Sequence, residues 1–331
     1  MRAASLGLRF CKITLQPTLA VCALCFSIAA AAQNFPTGPM RIISPYPPGG
    51  GTDILARTIG QRLTERFGYA VVVENRAGAN GTLGAGIAAK APADGHTLVI
   101  VAAAFAAGAS LYKNLPYDQA RDLAPVSQLA TGPLVLIVHP SLPVHSVRQL
   151  TALAKSRPGE LNIGNSGTGS LPHLTAELFA MMSGIKLVHV PYKGPSMALT
   201  DVMSGQVPLY FMNVFSALPL VNARRLRALG VSSAERSPVA PEIPTIAETG
   251  LRGFDMTNWY GMLAPGATPK EVISKLQQEV VRIMVLPEVK QSMAAGGMSV
   301  VAGTPQRFAE FLVREMDKYA LVIKAAGIKS E

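Results

Sequence analysis

The chain predicts an α/β fold in two halves, and three observations carry that prediction. Short apolar or β-branched runs alternate with segments of helical periodicity along most of the 331 residues. The alternation falls into two blocks, 35–130 and 131–250, a length that supports two cores rather than one. Several apolar runs end in loops of glycine and small polar residues that lead into a helix, and in open α/β sheets the C-terminal ends of strands are where ligands bind.

Residues 1–32 stand apart from this pattern and are expected to be a cleaved export segment. Arg2, Arg9 and Lys12 are their only charges, Thr18 to Ala32 is apolar apart from Ser27, and Ala30-Ala31-Ala32 offers a small-residue cleavage site before Gln33. The apolar run is short for a bilayer span. A lipid on Cys22 is disfavoured because Val21 is large for the position before a lipidated cysteine. Cleavage after Ala32 removes Cys11, Cys22 and Cys25, the three cysteines of the chain, so the exported protein has no disulfide and rests on its hydrophobic core. It also removes three of the ten net positive charges. The remaining lysines and arginines are scattered and aromatics are few. That field suits an anionic solute and lacks the basic stripe that nucleic acid needs.

The elements follow in order. Arg41–Ser44 is a strand whose loop, Pro45-Tyr46-Pro47-Pro48-Gly49-Gly50-Gly51, leads to Thr52 or Asp53 as cap of a helix. Leu55, Ile59, Leu63 and Phe67 recur there at helical spacing, and Gly68 ends it. Ala70–Val73 is a β-branched run typical of a buried parallel strand. Thr82–Lys90 is helical, and Pro92–Gly95 turns into strand His96–Ala102. In the second block Ser146 with Gln149 forms a capping box for a helix through Lys155. Strand Leu161–Gly164, helix Leu171–Met182, strand Lys186–Val190, helix Met197–Met203 and strands Val207–Phe211 and Leu226–Val231 come next. Trp259–Ala264 is a strand that returns to the first half, and the end is helical: Pro269–Val285, a stretch after Pro287, and Pro305–Ala325 stopped by Gly327. The expected domains are 33–130 with 251–331, and 131–250, joined by two crossings as in a hinge protein.

Three loops are the candidate site. The first holds Tyr46, Pro48, Gly49, Gly50, Thr52 and Asp53; the second holds Asn75, Ala77, Gly78, Asn80, Gly81 and Thr82. The third is Ser166, Gly167, Thr168, Gly169 and Ser170, where hydroxyls join bare amides. Bare N–H groups at a helix start attract an anion. One such loop alone is an ordinary tight turn with a capping serine; three together point to a cleft. His173 and Glu177 face one side of the helix after the third loop. Two ligands do not make a metal site, and no other His, Asp or Glu has matching spacing, so no metal is expected and His173 braces the loop by a hydrogen bond. Tyr192 and Lys193 follow an apolar strand, as solute contacts or as a packed tyrosine and a solvated lysine. Arg76 pairs with Glu74 or Asp53, or faces the ligand, and Phe105 is either cleft wall or core. No phosphate loop, dinucleotide fingerprint, nucleophile elbow or zinc-protease motif is present, so no catalytic residue or cofactor is expected.

These residues resemble one family, the Bug-type extracytoplasmic solute receptors associated with tripartite tricarboxylate transporters in bacteria. The marks run from Phe35 to about Gly327: Tyr46-Pro47-Pro48-Gly49-Gly50 with Asp53, Val73-Glu74-Asn75-Arg76-Ala77-Gly78-Ala79-Asn80-Gly81, Asp94-Gly95-His96-Thr97-Leu98, Gly167-Thr168-Gly169-Ser170 with His173-Leu174, and Val190-Pro191-Tyr192-Lys193-Gly194. The resemblance implies a Venus-flytrap of two α/β domains. It implies that one ligand carboxylate is held by loops Pro47–Thr52 and Asn75–Thr82, and that Ser166–Ser170 and the region of Tyr192 close over it. Ala102–Ser110 departs from the family in being alanine-rich where a polar cleft loop is expected.

The expected protein is therefore a monomeric periplasmic receptor that delivers a small carboxylate to membrane permease subunits or reports it to a membrane sensor. The carboxylate would be a di- or tricarboxylate, an acidic amino acid or an aromatic acid. The alternatives are a signalling adaptor and, less favoured, a hydrolase using Ser166 or Ser170, for which no general base sits at a recognisable spacing.

Overall fold

A computed structural model describes residues 35–329, so the expected export segment and its cleavage point lie outside the described residues. The described chain forms two mixed sheets. The first contains β1 (Met40–Ser44), β2 (Val71–Asn75), β3 (Thr97–Ala102), β4 (Leu123–Gly132), β10 (Asn258–Pro265) and β11 (Ser299–Val300), in the order β11-β4-β10-β3-β1-β2. The second contains β5 (Leu134–Val138), β6 (Asn162–Asn165), β7 (Val188–Pro191), β8 (Leu209–Asn213) and β9 (Arg227–Val231), in the order β7-β6-β8-β5-β9. In the first sheet β1 pairs in parallel with β2 and β3, while β10 runs antiparallel between β3 and β4. In the second, β6 pairs in parallel with β7 and β8, and β5 is antiparallel to β8 and β9.

Alternation along the strands shows how the core is laid out. Val99 and Val101 of β3 enter one cluster, and Leu98 and Ile100 enter another on the opposite face. Leu134, Leu136 and Val138 of β5 join the same cluster as Val99, whereas Val135 and Ile137 face a third. One core is thus shared by the inner faces of both sheets. Helix α10 (Pro305–Ala326) contributes Phe308, Leu312, Tyr319 and Val322 to it. Trp259 of β10 is fully buried against Phe308, and its indole N–H donates to Glu315 at 2.9 Å.

The remaining helices cover the sheets: α1 (Gly51–Phe67), α2 (Thr82–Ala89), α3 (Gly108–Leu111), α4 (Val147–Ser156), α5 (Leu171–Ser183), α6 (Pro195–Met203), α7 (Val214–Asn222), α8 (Lys270–Met284) and α9 (Pro287–Ala295). The strand expected to be buried at Ala70–Val73 is the half-exposed edge strand β2, and the expected cap of α1 is absent. Neither Thr52 nor Asp53 caps α1: it begins at Gly51 after an extended Gly50, with no side-chain cap. Thr52 instead pairs with the Ser44 hydroxyl at 2.9 Å. Strands β4 and β5 and helix α7 were also not foreseen. Only Pro133 separates β4 from β5, where the chain passes from one sheet to the other. α7 carries Pro219 within it, a residue that ordinarily argues against a helix. The capping box of α4 is present in altered form. Ser146 accepts from the Gln149 amide at 3.2 Å, and the Gln149 side chain accepts from His145, one residue further back than the usual partner.

Candidate functional site

All three glycine-rich loops lie at the C-terminal ends of parallel strands: Pro45–Gly50 after β1, Arg76–Gly81 after β2, and Ser166–Ser170 after β6. A fourth segment, Tyr192–Gly194, follows β7. The first-turn amides of α1, at Gly51, Thr52 and Asp53, have no intrahelical acceptor and form an electropositive edge.

Asp53 ties the first two loops together. Its buried carboxylate accepts from the Gly49 amide, Arg57 Nε and Asn75 Nδ2, each at 3.0 Å. Asn75 also donates to the Tyr46 carbonyl at 3.2 Å. Burial opposes the charge of Asp53, but Arg57, the Gly49 amide and Asn75 outweigh it and hold the carboxyl below its ordinary value. Asp53 and Asn75 are therefore braces whose polar atoms are engaged within the protein. Tyr46 spans the same two loops, donating its hydroxyl proton to the Asn80 carbonyl at 3.0 Å. Gly81 adopts φ +94°, and a Cβ there would lie 2.7 Å from the Tyr46 hydroxyl, so this close approach requires glycine. Thr82 is buried and donates to the Ala79 carbonyl at 2.8 Å. Pro48, Gly49, Ala77 and Gly78 are exposed on the loop tips. Arg76 pairs with Glu74 at 3.0 Å.

The third loop meets the first half directly. Asn80 Nδ2 donates to the Thr168 carbonyl at 3.1 Å and to the Tyr112 hydroxyl at 3.2 Å. Gly169 has φ +74°, and its absent Cβ would strike Leu111. Between these contacts lies a cleft of about 450 Å³. Leu111 and Tyr112 wall it from the first half; Ser166, Gly167, Thr168, Tyr192 and Lys193 wall it from the second. Tyr192 donates its proton to Asp201 at 2.6 Å, and burial together with that carboxylate pushes the phenol up to about 12. Its ring faces the cleft while its hydroxyl proton is already committed. Lys193 is exposed and forms no ion pair among the described residues. Ser170 sits at the start of α5 without capping it, and its buried hydroxyl has no partner among the described residues.

Phe105 is fully buried in the shared core and lines no part of this cleft; the alanine-rich segment around it folds as a short 3₁₀ turn packed inward. Conversely, Leu111 and Tyr112 were not singled out from the sequence. Neither lies in a glycine-rich loop, so the signal that found the others is silent there.

His173 is buried, and its Nδ1 accepts from the Gly169 amide at 3.0 Å. Its Nε2 faces Glu177 at 3.4 Å. The fold adds a partner that helical spacing does not reveal: His189 Nε2 lies 3.2 Å from the same Glu177 oxygen. Burial and the neighbouring His173 lower the pKa of His189 despite the pull of Glu177. Burial resists the Glu177 charge, but the hydrogen bond from His173 and the two imidazoles together hold its carboxyl low. The three groups have metal-ligand chemistry and lie within 4.8 Å of one another. Their protons are arranged for another purpose. A metal on His173 Nε2 would need Nδ1 to carry the proton and donate it, whereas here Nδ1 is the acceptor of a backbone N–H.

Two α/β units on separate sheets, joined by two chain crossings and facing each other across a cleft at their strand C-termini, define the periplasmic-binding-protein class. Residues 55–328 match the model of the tripartite tricarboxylate transporter family receptor, and the chain belongs to that family. It is 36% identical over 301 residues to protein BugT of Bordetella pertussis, covering 90% of this chain and 92% of the relative. A solved structure of Rhodopseudomonas palustris Rpa4515 with adipate superposes with a TM-score of 0.81 at 36% identity, covering 90% of this chain and 100% of that one. MatC from the same organism, solved with malate bound, gives 0.77 at 29% identity over 87% and 100%. The family is one of solute-binding receptors.

Proposed function

We propose that this receptor is exported to the periplasm and captures a small carboxylate in the cleft for a tripartite-type permease. The observation that carries the reading is the charge of the cleft. Lys193 lines it without a counter-ion among the described residues, while the two acids of the facing loops are neutralised, Asp53 by Arg57 and Glu74 by Arg76. Ser166 and Thr168 add hydroxyls to the same wall. The adipate and malate held by the two similar structures agree in chemistry with such a site. A hydrolase using Ser170 lacks its base, because among the described residues its hydroxyl has no hydrogen-bond partner and His173 Nδ1 is occupied by a backbone amide.

The test is a thermal-shift screen of mono-, di- and tricarboxylates, amino acids and aromatic acids, on protein recovered from the periplasm with an intact mass beginning at Gln33. A ligand at a hundred times its Kd stabilises by about 2.7 kcal/mol, a shift of several degrees. At least one carboxylate is expected to give it. Silence across the acids favours an adaptor, product formation favours an enzyme, and either outcome contradicts the proposal.

A further inference from the structure

Of the residues lining the cleft, Lys193 alone carries a charge. The acids of the first-half loops are paired with arginines, Asp53 with Arg57 and Glu74 with Arg76, and none of these four groups lines the cleft. Lys113, next to Tyr112 in the chain, is exposed and also lies outside the lining. A further charge does stand close to the wall, and it is negative. Asp201 of α6 accepts from the Tyr192 hydroxyl at 2.6 Å and forms no ion pair among the described residues. The rest of the lining is neutral. Tyr112 comes from the first half and Tyr192 from the second, so a solute that fills the cleft meets an aromatic ring on each side. Leu111 and Pro191 extend these apolar surfaces. The Tyr192 hydroxyl proton is committed to Asp201, which leaves the ring as what Tyr192 offers. The Tyr112 hydroxyl accepts from Asn80 Nδ2 at 3.2 Å and keeps its own proton to donate.

We infer that the solute is a monocarboxylate with an apolar body: its single charge meets Lys193, and its hydrocarbon lies between the walls of Tyr112 and Tyr192. The inference rests on the carboxylate-receptor reading and narrows it to one class of acid. Drawing a carboxylate out of water is costly unless an opposite charge receives it. Lys193 can receive one. A second carboxylate on the same solute would lose its water as the halves meet with no cation in the lining to offset the loss, and Asp201 would repel it. The body of the solute is selected by the same wall. Burying the rings of Tyr112 and Tyr192 against hydrocarbon is favourable, whereas a hydroxylated chain would meet those rings where its hydroxyls need partners. A pocket of apolar surface with a few polar groups that fix one end is the usual form of a site for such a molecule.

The experiment is calorimetry at pH 7.5 with acids that differ in one respect at a time. Hexanoate and adipate share a chain length, and benzoate and terephthalate share a ring. Within each pair the monoacid should bind about tenfold or more tightly than the diacid, the scale of one uncompensated charge. Gluconate has the length and charge of hexanoate with hydroxyls along its body, and it should bind about tenfold or more weakly than hexanoate. Lys193→Met should weaken hexanoate and benzoate by about tenfold or more. It should leave the melting temperature of the ligand-free protein unchanged, because Lys193 is exposed and forms no ion pair among the described residues. A diacid that binds as tightly as its monoacid, gluconate that matches hexanoate, or full affinity in Lys193→Met overturns the inference and leaves the receptor reading standing. Silence from all of these acids overturns it too; the receptor reading falls only if the wider screen of acids is silent as well.

Discussion

Gly169→Ala is expected to weaken ligand binding by about tenfold to a hundredfold while costing the free protein only ~1 kcal/mol of stability. Two costs meet at this residue and act on different states. Its φ of +74° disfavours any side chain, and that strain is present whether the two halves are open or closed. The added Cβ would also strike Leu111 and lie 3.2 Å from Asn80 Nδ2, both on the facing half. Leu111 is buried in the shared core and cannot withdraw freely. Overpacking of this kind costs about 1–3 kcal/mol, and it applies only when the halves meet. Calorimetry should therefore show a large affinity loss, and urea unfolding of the ligand-free protein a small stability loss. Unchanged affinity would mean that the contact between Gly169 and Leu111 plays no part in closure.

Asp53→Ala should destabilise the protein by about 1–2 kcal/mol, because it removes the shared acceptor of the Gly49 amide, the Arg57 guanidinium and the Asn75 amide, groups that water or the Tyr46 carbonyl can still partly satisfy. Asp53→Asn should recover part of that loss by keeping one acceptor. The effect has a defined pH dependence. The folded carboxyl sits below its ordinary value of 3.8, so the unfolded chain takes up the proton first as pH falls. The stabilisation is complete above that ordinary value and disappears as pH drops through the lower folded one. Urea unfolding should thus show the full difference between natural and Ala proteins at pH 7 and a shrinking one below pH ~4. A difference that stays constant into acid would show that the charge of Asp53 is not what holds the loops.

The fold was legible where one residue type forces one backbone. Glycine-rich runs marked three loops at the C-terminal ends of strands, and helical spacing of Leu55, Ile59 and Leu63 marked α1. It was illegible where a global event replaces a local signal. The β4–β5 junction changes sheets across a single proline, and α7 tolerates Pro219 in its interior. The same division holds for the site. Ser166 to Ser170 announced themselves, but the roles of their neighbours did not. Asn80 reaches Thr168 across 88 residues, His189 reaches Glu177 from another element, and Asp201 accepts the Tyr192 hydroxyl's hydrogen bond. Such pairings are made by the packing of strands and helices, and no spacing in the sequence encodes them. At Asp53 and Asn75 the sequence shows the residue type but not the hydrogen bonds by which they brace the loops that hold them.

Recognition of a negative charge by the cleft is the property on which carboxylate capture depends. The most direct measurement is isothermal titration at pH 7.5 with the acid that gives the largest thermal shift, followed by the same acid with each carboxylate converted in turn to a neutral amide. Hydrogen bonds to a charged group contribute about 1.5–3 kcal/mol, so at least one amide should bind tenfold or more weakly than the parent acid. Equal affinity for the acid and for every amide would contradict the claim that the cleft lined by Lys193 holds a carboxylate.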